Sequence, residues 1–88
     1  MNVEYSKSFK KDIETVNDQK VLARLKELLL SFEQITSLTE IQNLKKLKAS
    51  GNYYRIRVGD YRIGLKFEEN KLTFVRFLHR KEVYRYFP

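Results

Sequence analysis

No cysteine occurs among the 88 residues, which removes disulfides and thiolate-bound metals as supports for the fold. Histidine occurs once, at position 79, and Asp12, Asp18 and Asp60 are scattered, so no ligand set with metal-site spacing is present and no cofactor is expected. Long apolar runs are missing too. The opening MNVEYSKSFKKD lacks the hydrophobic stretch of a signal peptide, and no segment is long enough to span a bilayer, so a cytoplasmic location is expected. Nothing repeats, no linker divides the chain and no stretch is of low complexity. The expectation is therefore one domain over residues 1–88, large enough for a single core with little margin. Acidic residues are few beside basic ones, 11 against 18, for a formal charge of +7. At 42% hydrophobic and 33% charged the chain has the composition of a globular domain, and its positive excess favours a polyanionic partner such as nucleic acid or a ribonucleoprotein. A membrane-surface role fits less well, because Glu14, Glu27 and Glu33 interrupt the positive charge of the first half.

What is abundant is arginine after position 53, and its spacing sorts it. Side chains in a strand alternate between faces, so Tyr54, Ile56 and Val58 point one way and Arg55 and Arg57 the other. After a Gly59-Asp60 turn, Tyr61, Ile63, Leu65 and Phe67 take the apolar side, opposite Arg62 and Lys66. Glu69-Asn70 reads as a tight hairpin into a third strand. In that strand Leu72, Phe74, Arg76 and Leu78 alternate with Thr73, Val75, Phe77 and His79. Both sets are partly apolar, as in a strand buried on both faces, and the direction of His79 stays open because a bulge would reverse it.

Upstream, Asn2–Tyr5 reads as a brief strand. Ser6 or Ser8 can cap a helix with Phe9, Ile13 and Val16 at helical spacing. Asn17-Asp18 restarts the pattern, and Val21, Leu25, Leu28, Phe32 and Ile35 form an apolar stripe widened by Leu22 and Leu29. Ser37–Glu40 fits a capping box, which predicts a helical turn or two running to about Leu44, followed by a connection through Gly51-Asn52. The predicted fold class is α+β: an N-terminal helical hairpin packed on one face of a small twisted antiparallel sheet, with the arginine face left open.

The segments L-K-K-L-K, Y-Y-R-I-R-V-G-D-Y-R-I-G and H-R-K-E-V-Y-R-Y, in that order, resemble the RelE/ParE superfamily of bacterial toxins over nearly the whole chain. In the RelE branch the resemblance implies an endoribonuclease that cuts messenger RNA in the ribosomal A site and is held in check by a cognate antitoxin. In the ParE branch it implies inhibition of DNA gyrase, with most of the basic catalytic set missing. Arg62, His79, Arg80 and Tyr84 are all present, which points to the RelE side. Arg62 matches the arginine of the G-x-Y-R motif that contacts the scissile phosphate. Arg80 matches the arginine near the end of the last strand, and Tyr84 the tyrosine of the V-Y pair. Arg55 and Arg57 stand where RelE members carry basic residues, commonly lysines; the spacer before the V-Y pair is shorter here, and His79 is similar to the histidine-bearing relatives.

Cleavage of RNA without a metal needs a base for the 2′-hydroxyl, cations for the crowded anionic phosphate and an acid for the leaving 5′-oxygen. Arg62 and Arg80 suit the phosphate, since guanidinium offers a planar fork that stays charged. His79 and Tyr84 are the alternatives for acid and base, imidazole being the side chain type most often used for proton transfer. Lys46, Lys48, Arg55, Arg57 and Lys66, with Lys45, are the expected RNA-binding set, in contact with message or ribosomal RNA. A toxin-fold module that only binds RNA or its antitoxin is a further alternative.

Overall fold

The computed structural model describes residues 1–47 and 51–88. In chain order the elements are β1 (Asn2–Tyr5), α1 (Lys7–Glu14), α2 (Gln19–Ser31), β2 (Leu44–Lys46), β3 (Tyr53–Val58), β4 (Tyr61–Glu68), β5 (Lys71–His79) and α3 (Val83–Tyr86). The helices begin where the caps predict. Ser6 Oγ accepts from the Phe9 amide, and Asp18 Oδ1 accepts from the Lys20 and Val21 amides, satisfying donors that a first helical turn leaves free. The hairpins follow turn chemistry as well. Glu69 and Asn70 both have positive φ, as a two-residue type I′ connection requires, while at Gly59-Asp60 only the glycine does.

The sheet has five strands in the order β1-β5-β4-β3-β2. It is mixed, which corrects the expectation of a purely antiparallel sheet: β1 lies parallel to β5, with Val3 opposite Leu72 and Tyr5 opposite Phe74. The helical turns expected to run to Leu44 also stop early. The capping box is present on a single 3-10 turn, Leu38–Glu40, after which residues 44–46 pair with Ile56, Arg55 and Tyr54 as an edge strand. β2 is three residues long with one apolar side chain, too short for any periodic signal.

One face of the sheet carries the main core. Phe9, Val21, Leu25 and Phe32 from the helical layer pack on Ile56, Ile63, Leu65, Leu72, Phe74 and Phe77, with the Phe74 ring 5.5 Å from Phe9 and 5.1 Å from Phe32. β5 has a bulge here. Gly64 pairs with Arg76 and Leu65 with Phe74, leaving Val75 as the extra residue. Phe74 and Phe77, three apart in sequence, therefore both reach the helices.

The opposite face is only partly open, contrary to expectation. After β5 the chain turns back, and α3 lays Val83 and Phe87 on Leu78, with Leu47, Tyr53 and Val75 around them, as a second and smaller cluster. Gly64 makes this possible: a Cβ there would lie 2.7 Å from the Phe87 ring. At the β5 edge beyond β1, the Asp12 carboxylate stands in for a strand. Oδ2 accepts from the Phe77 amide at 2.9 Å, and both oxygens take the Arg76 guanidinium, at 2.8 and 3.0 Å.

Candidate phosphate-binding site

The strand register settles which charges meet. Arg57 and Arg62 are cross-strand partners, and Arg55 lies opposite Gly64, so the three arginines share the face turned away from α1 and α2. The Arg62 guanidinium is folded over the β3–β4 turn, where Nη1 donates to the carbonyls of Gly59 and Tyr61, both at 2.9 Å. That clamp holds the side chain in one place and leaves its other N–H groups available. Burial lowers the Arg62 pKa from its ordinary value. The positive charges of Arg55 and Arg57 lower it further, Tyr84 opposes the shift, and Arg80 adds to it.

Arg80 follows β5 and is anchored by its backbone, whose amide donates to the Asp60 carbonyl at 2.7 Å. Its side chain is mostly exposed, with Nε 3.7 Å from the Asp60 carboxylate. Tyr84 stands on α3 beside buried Val83 and is itself 62% exposed. Among the described residues, Arg55, Arg57 and Arg62 have no acidic partner, and the buried Nε of Arg55 has no hydrogen-bond acceptor. Like charges held together without counter-charge form a site whose natural occupant is an anion.

Not every expected residue joins this group. His79 pairs with Tyr61, which belongs to the helix-side core, and its ring lies edge-on to the Tyr61 ring at 5.4 Å. It therefore stands on the face opposite Arg62. Its Nδ1 accepts from the Lys81 amide at 3.2 Å, which puts the proton of the neutral ring on Nε2. Lys66 shares the arginine face, but Phe87 over Gly64 separates it from Arg62. Its ammonium is 3.0 Å from the Glu68 carboxylate and 5.9 Å from the Tyr53 ring centroid. The hydrogen bond and charge of Glu68 raise the Lys66 pKa.

Lys46 pairs with Tyr54, on the helix side, whereas Lys45 pairs with Arg55 and extends the arginine face. Lys48 falls outside the described residues. Arg76 is engaged by Asp12, with its guanidinium 5.8 Å from the Tyr86 ring. The register that sends Lys45 and Lys46 to opposite faces is not visible in three residues of sequence. Among the described residues no three His, Cys, Asp or Glu side chains come together as a metal-holding set, and no helix is long and apolar enough to cross a membrane.

Residues 3–84 match a family model described as the ParE toxin of the type II toxin–antitoxin system parDE. Over its full length the chain is 40% identical to a protein named Toxin RelE3 from Methanocaldococcus jannaschii, which it also covers completely. In three dimensions it is similar to the RelB–RelE antitoxin–toxin complex from Methanococcus jannaschii: TM-score 0.83, 39% identity, 97% of this chain and 99% of the other covered. YafQ from Escherichia coli superposes with a TM-score of 0.72 at 24% identity, over 91% of this chain and 93% of YafQ.

Proposed function

Because the chain belongs to the ParE toxin family of type II toxin–antitoxin systems, within the RelE/ParE superfamily, we propose that it is a toxin of the RelE kind. In this reading it is a cytoplasmic endoribonuclease that cuts messenger RNA in the ribosomal A site and thereby stops translation. The observation that carries this reading is the counter-charge-free cluster of Arg55, Arg57 and Arg62, with Arg80 and Tyr84 acting on the same guanidinium.

Arg62 and Arg80 hold the scissile phosphate and stabilise the extra negative charge it gains as the 2′-oxygen attacks. The new bond joins the 2′-oxygen to phosphorus and the bond to the 5′-oxygen breaks, leaving a 2′,3′-cyclic phosphate and a 5′-hydroxyl. One proton leaves the 2′-hydroxyl and one reaches the departing oxygen. Arginine stays protonated throughout, so Tyr84 is the proton-exchanging side chain among the groups that act on Arg62: it gives its phenolic proton to the departing 5′-oxygen, solvent takes the 2′-hydroxyl proton, and Tyr84 regains one from solvent. What favours Tyr84 over His79 is the face each occupies. Arg55, Arg57 and Lys45 track the neighbouring backbone, and Lys66 lies beyond Phe87 as a more distant contact.

The partner is a cognate antitoxin, as in the RelB–RelE complex. Its fit rests on the open arginine face and on an apolar concavity of about 440 Å³ beside α2, where Leu30 is exposed.

Primer extension on a defined message in purified translating ribosomes tests the nuclease. Stops confined to the A site are expected with this protein, and Arg62→Ala combined with Arg80→Ala should remove them while circular dichroism shows the fold retained. Continued cutting by that variant would overturn the assignment. The ParE family model favours one other reading, gyrase inhibition, which predicts DNA damage with messages left intact.

A further inference from the structure

A cleft of about 340 Å³ opens on the helix side of the sheet, at the β3 edge, and shares Arg57 with the site described above. β2 begins at Leu44, opposite Ile56, and the cleft lies where β3 continues beyond that pair as Arg57 and Val58. Ile56 and Val58 belong to its apolar lining. Gln42 and Asn43, on the exposed loop before β2, and Glu27 of α2 supply its polar rim. Arg24 closes the far side and lies close to the β3–β4 turn: its Nη1 would be 3.7 Å from a Cβ on Gly59, the residue whose carbonyl binds Arg62. The cleft and the arginine cluster therefore share Arg57 and meet at the same turn.

Apolar floor, hydrogen-bonding rim and flanking guanidinium groups suit one chemical class, a nucleobase still joined to its sugar–phosphate backbone. We propose that this cleft receives the base next to the phosphate held by Arg62 and sets which base is accepted there. The proposal rests on the RNA-cutting reading of the arginine cluster. A strand leaving Arg62 crosses Arg57 at the sheet edge, and the next base turns down against Leu28, above the buried Ile56 and Val58. The side-chain amides of Gln42 and Asn43 offer both donors and acceptors to its edge, whereas the Glu27 carboxylate only accepts. Adenine, cytosine and uracil each give a carboxylate one N–H, whereas guanine gives two side by side, from N1 and the N2 amino group, so that acceptor favours guanine.

The test uses the ¹⁵N-labelled full chain and uncleavable 2′-O-methylated dinucleotides, one for each base, together with an abasic dinucleotide. Amides of Gln42, Asn43 and Val58 should shift most with guanine and respond at least about fivefold more weakly to the other three bases. The abasic probe should move only Arg55, Arg57 and Arg62. No shift at Gln42 and Asn43, or equal shifts with all five probes, would overturn the assignment. Gln42→Ala with Asn43→Gly removes both amides; glycine is chosen because Asn43 has φ 63°, which alanine would strain. This variant should weaken the response to every base alike, and Glu27→Gln should lose the preference among them, while Arg62 still responds to the abasic probe in both; an unchanged preference in Glu27→Gln would count against the cleft. Because these readouts are of binding, a failure to cut message in ribosomes would remove the nuclease reading without deciding this one.

Discussion

In the proposed site Arg62 gathers more of the chemistry than any other side chain, and its face was legible in the sequence because strict alternation on β3 and β4 leaves no choice. Replacing it with lysine keeps the charge but loses the planar fork and the clamp on the Gly59 and Tyr61 carbonyls. Cleavage in a single-turnover assay should fall by roughly a hundredfold, comparable with loss of one oxyanion donor. Tyr84→Phe removes only a hydroxyl, and cleavage should again drop by about a hundredfold or more, while His79→Ala stays within a few-fold of the parent. The opposite ranking would return proton transfer to the histidine. The direction of His79 was not legible because the extra residue, Val75, swaps the faces of everything beyond it on β5. Asp12 was equally hidden: its isolation in sequence says nothing of the Arg76 guanidinium and Phe77 amide it serves. Asp12→Ala should cost about 2 kcal/mol in denaturant unfolding, at the upper end for a partly shielded charge-assisted pair that also leaves an edge amide unmet.

At the level of elements, the long amphipathic helix and the two hairpins were readable, since each repeats its signal over many residues or uses obligatory turn chemistry. β2 and α3 were not. Three or four residues carry no period, and a single helical turn does not hold itself together without tertiary contacts. α3 owes its position to Val83 and Phe87, in a cluster separate from the main core, and to the bare backbone of Gly64. Gly64→Ala should therefore expel Phe87 and displace Tyr84 while the helix-side core persists. Cleavage is expected to fall about as far as in Tyr84→Phe, and the double variant should be no worse than either alone, since both act on one side chain. Additive losses in that cycle would show that the glycine acts elsewhere. The Leu38–Glu40 turn gives a pH signature. Hydrogen bonds from the backbone of Thr36 and Ser37 hold the Glu40 carboxyl below its ordinary 4.5. A lowered folded value means that this contribution is complete above pH 4.5 and is lost as pH falls through the folded value. Hydrogen exchange at the Thr36 and Ser37 amides, followed on acidification, should show protection disappearing below that point.

For the whole molecule, the net charge of +7 matters less than the grouping of Arg55, Arg57 and Arg62 on one face without acidic partners among the described residues. Binding of an uncleavable single-stranded RNA should weaken with salt at a log–log slope of about −3 if Arg55, Arg57, Arg62 and Arg80 each neutralise one phosphate. Arg57→Ala should make that slope shallower by somewhat under one, and an unchanged slope would place the phosphates elsewhere. The strand order also bears on when the protein becomes dangerous. β1 is made first, yet its sheet neighbour is β5, so Leu72 and Phe74 must arrive before the N-terminal strand and the helices behind it can bury their apolar sides. Arg80 and Tyr84 follow later still. A nascent chain with β5 still inside the exit tunnel has neither a closed sheet nor an assembled phosphate site. The ribosome translating this message is thus shielded from its own product through most of the synthesis, by topology alone.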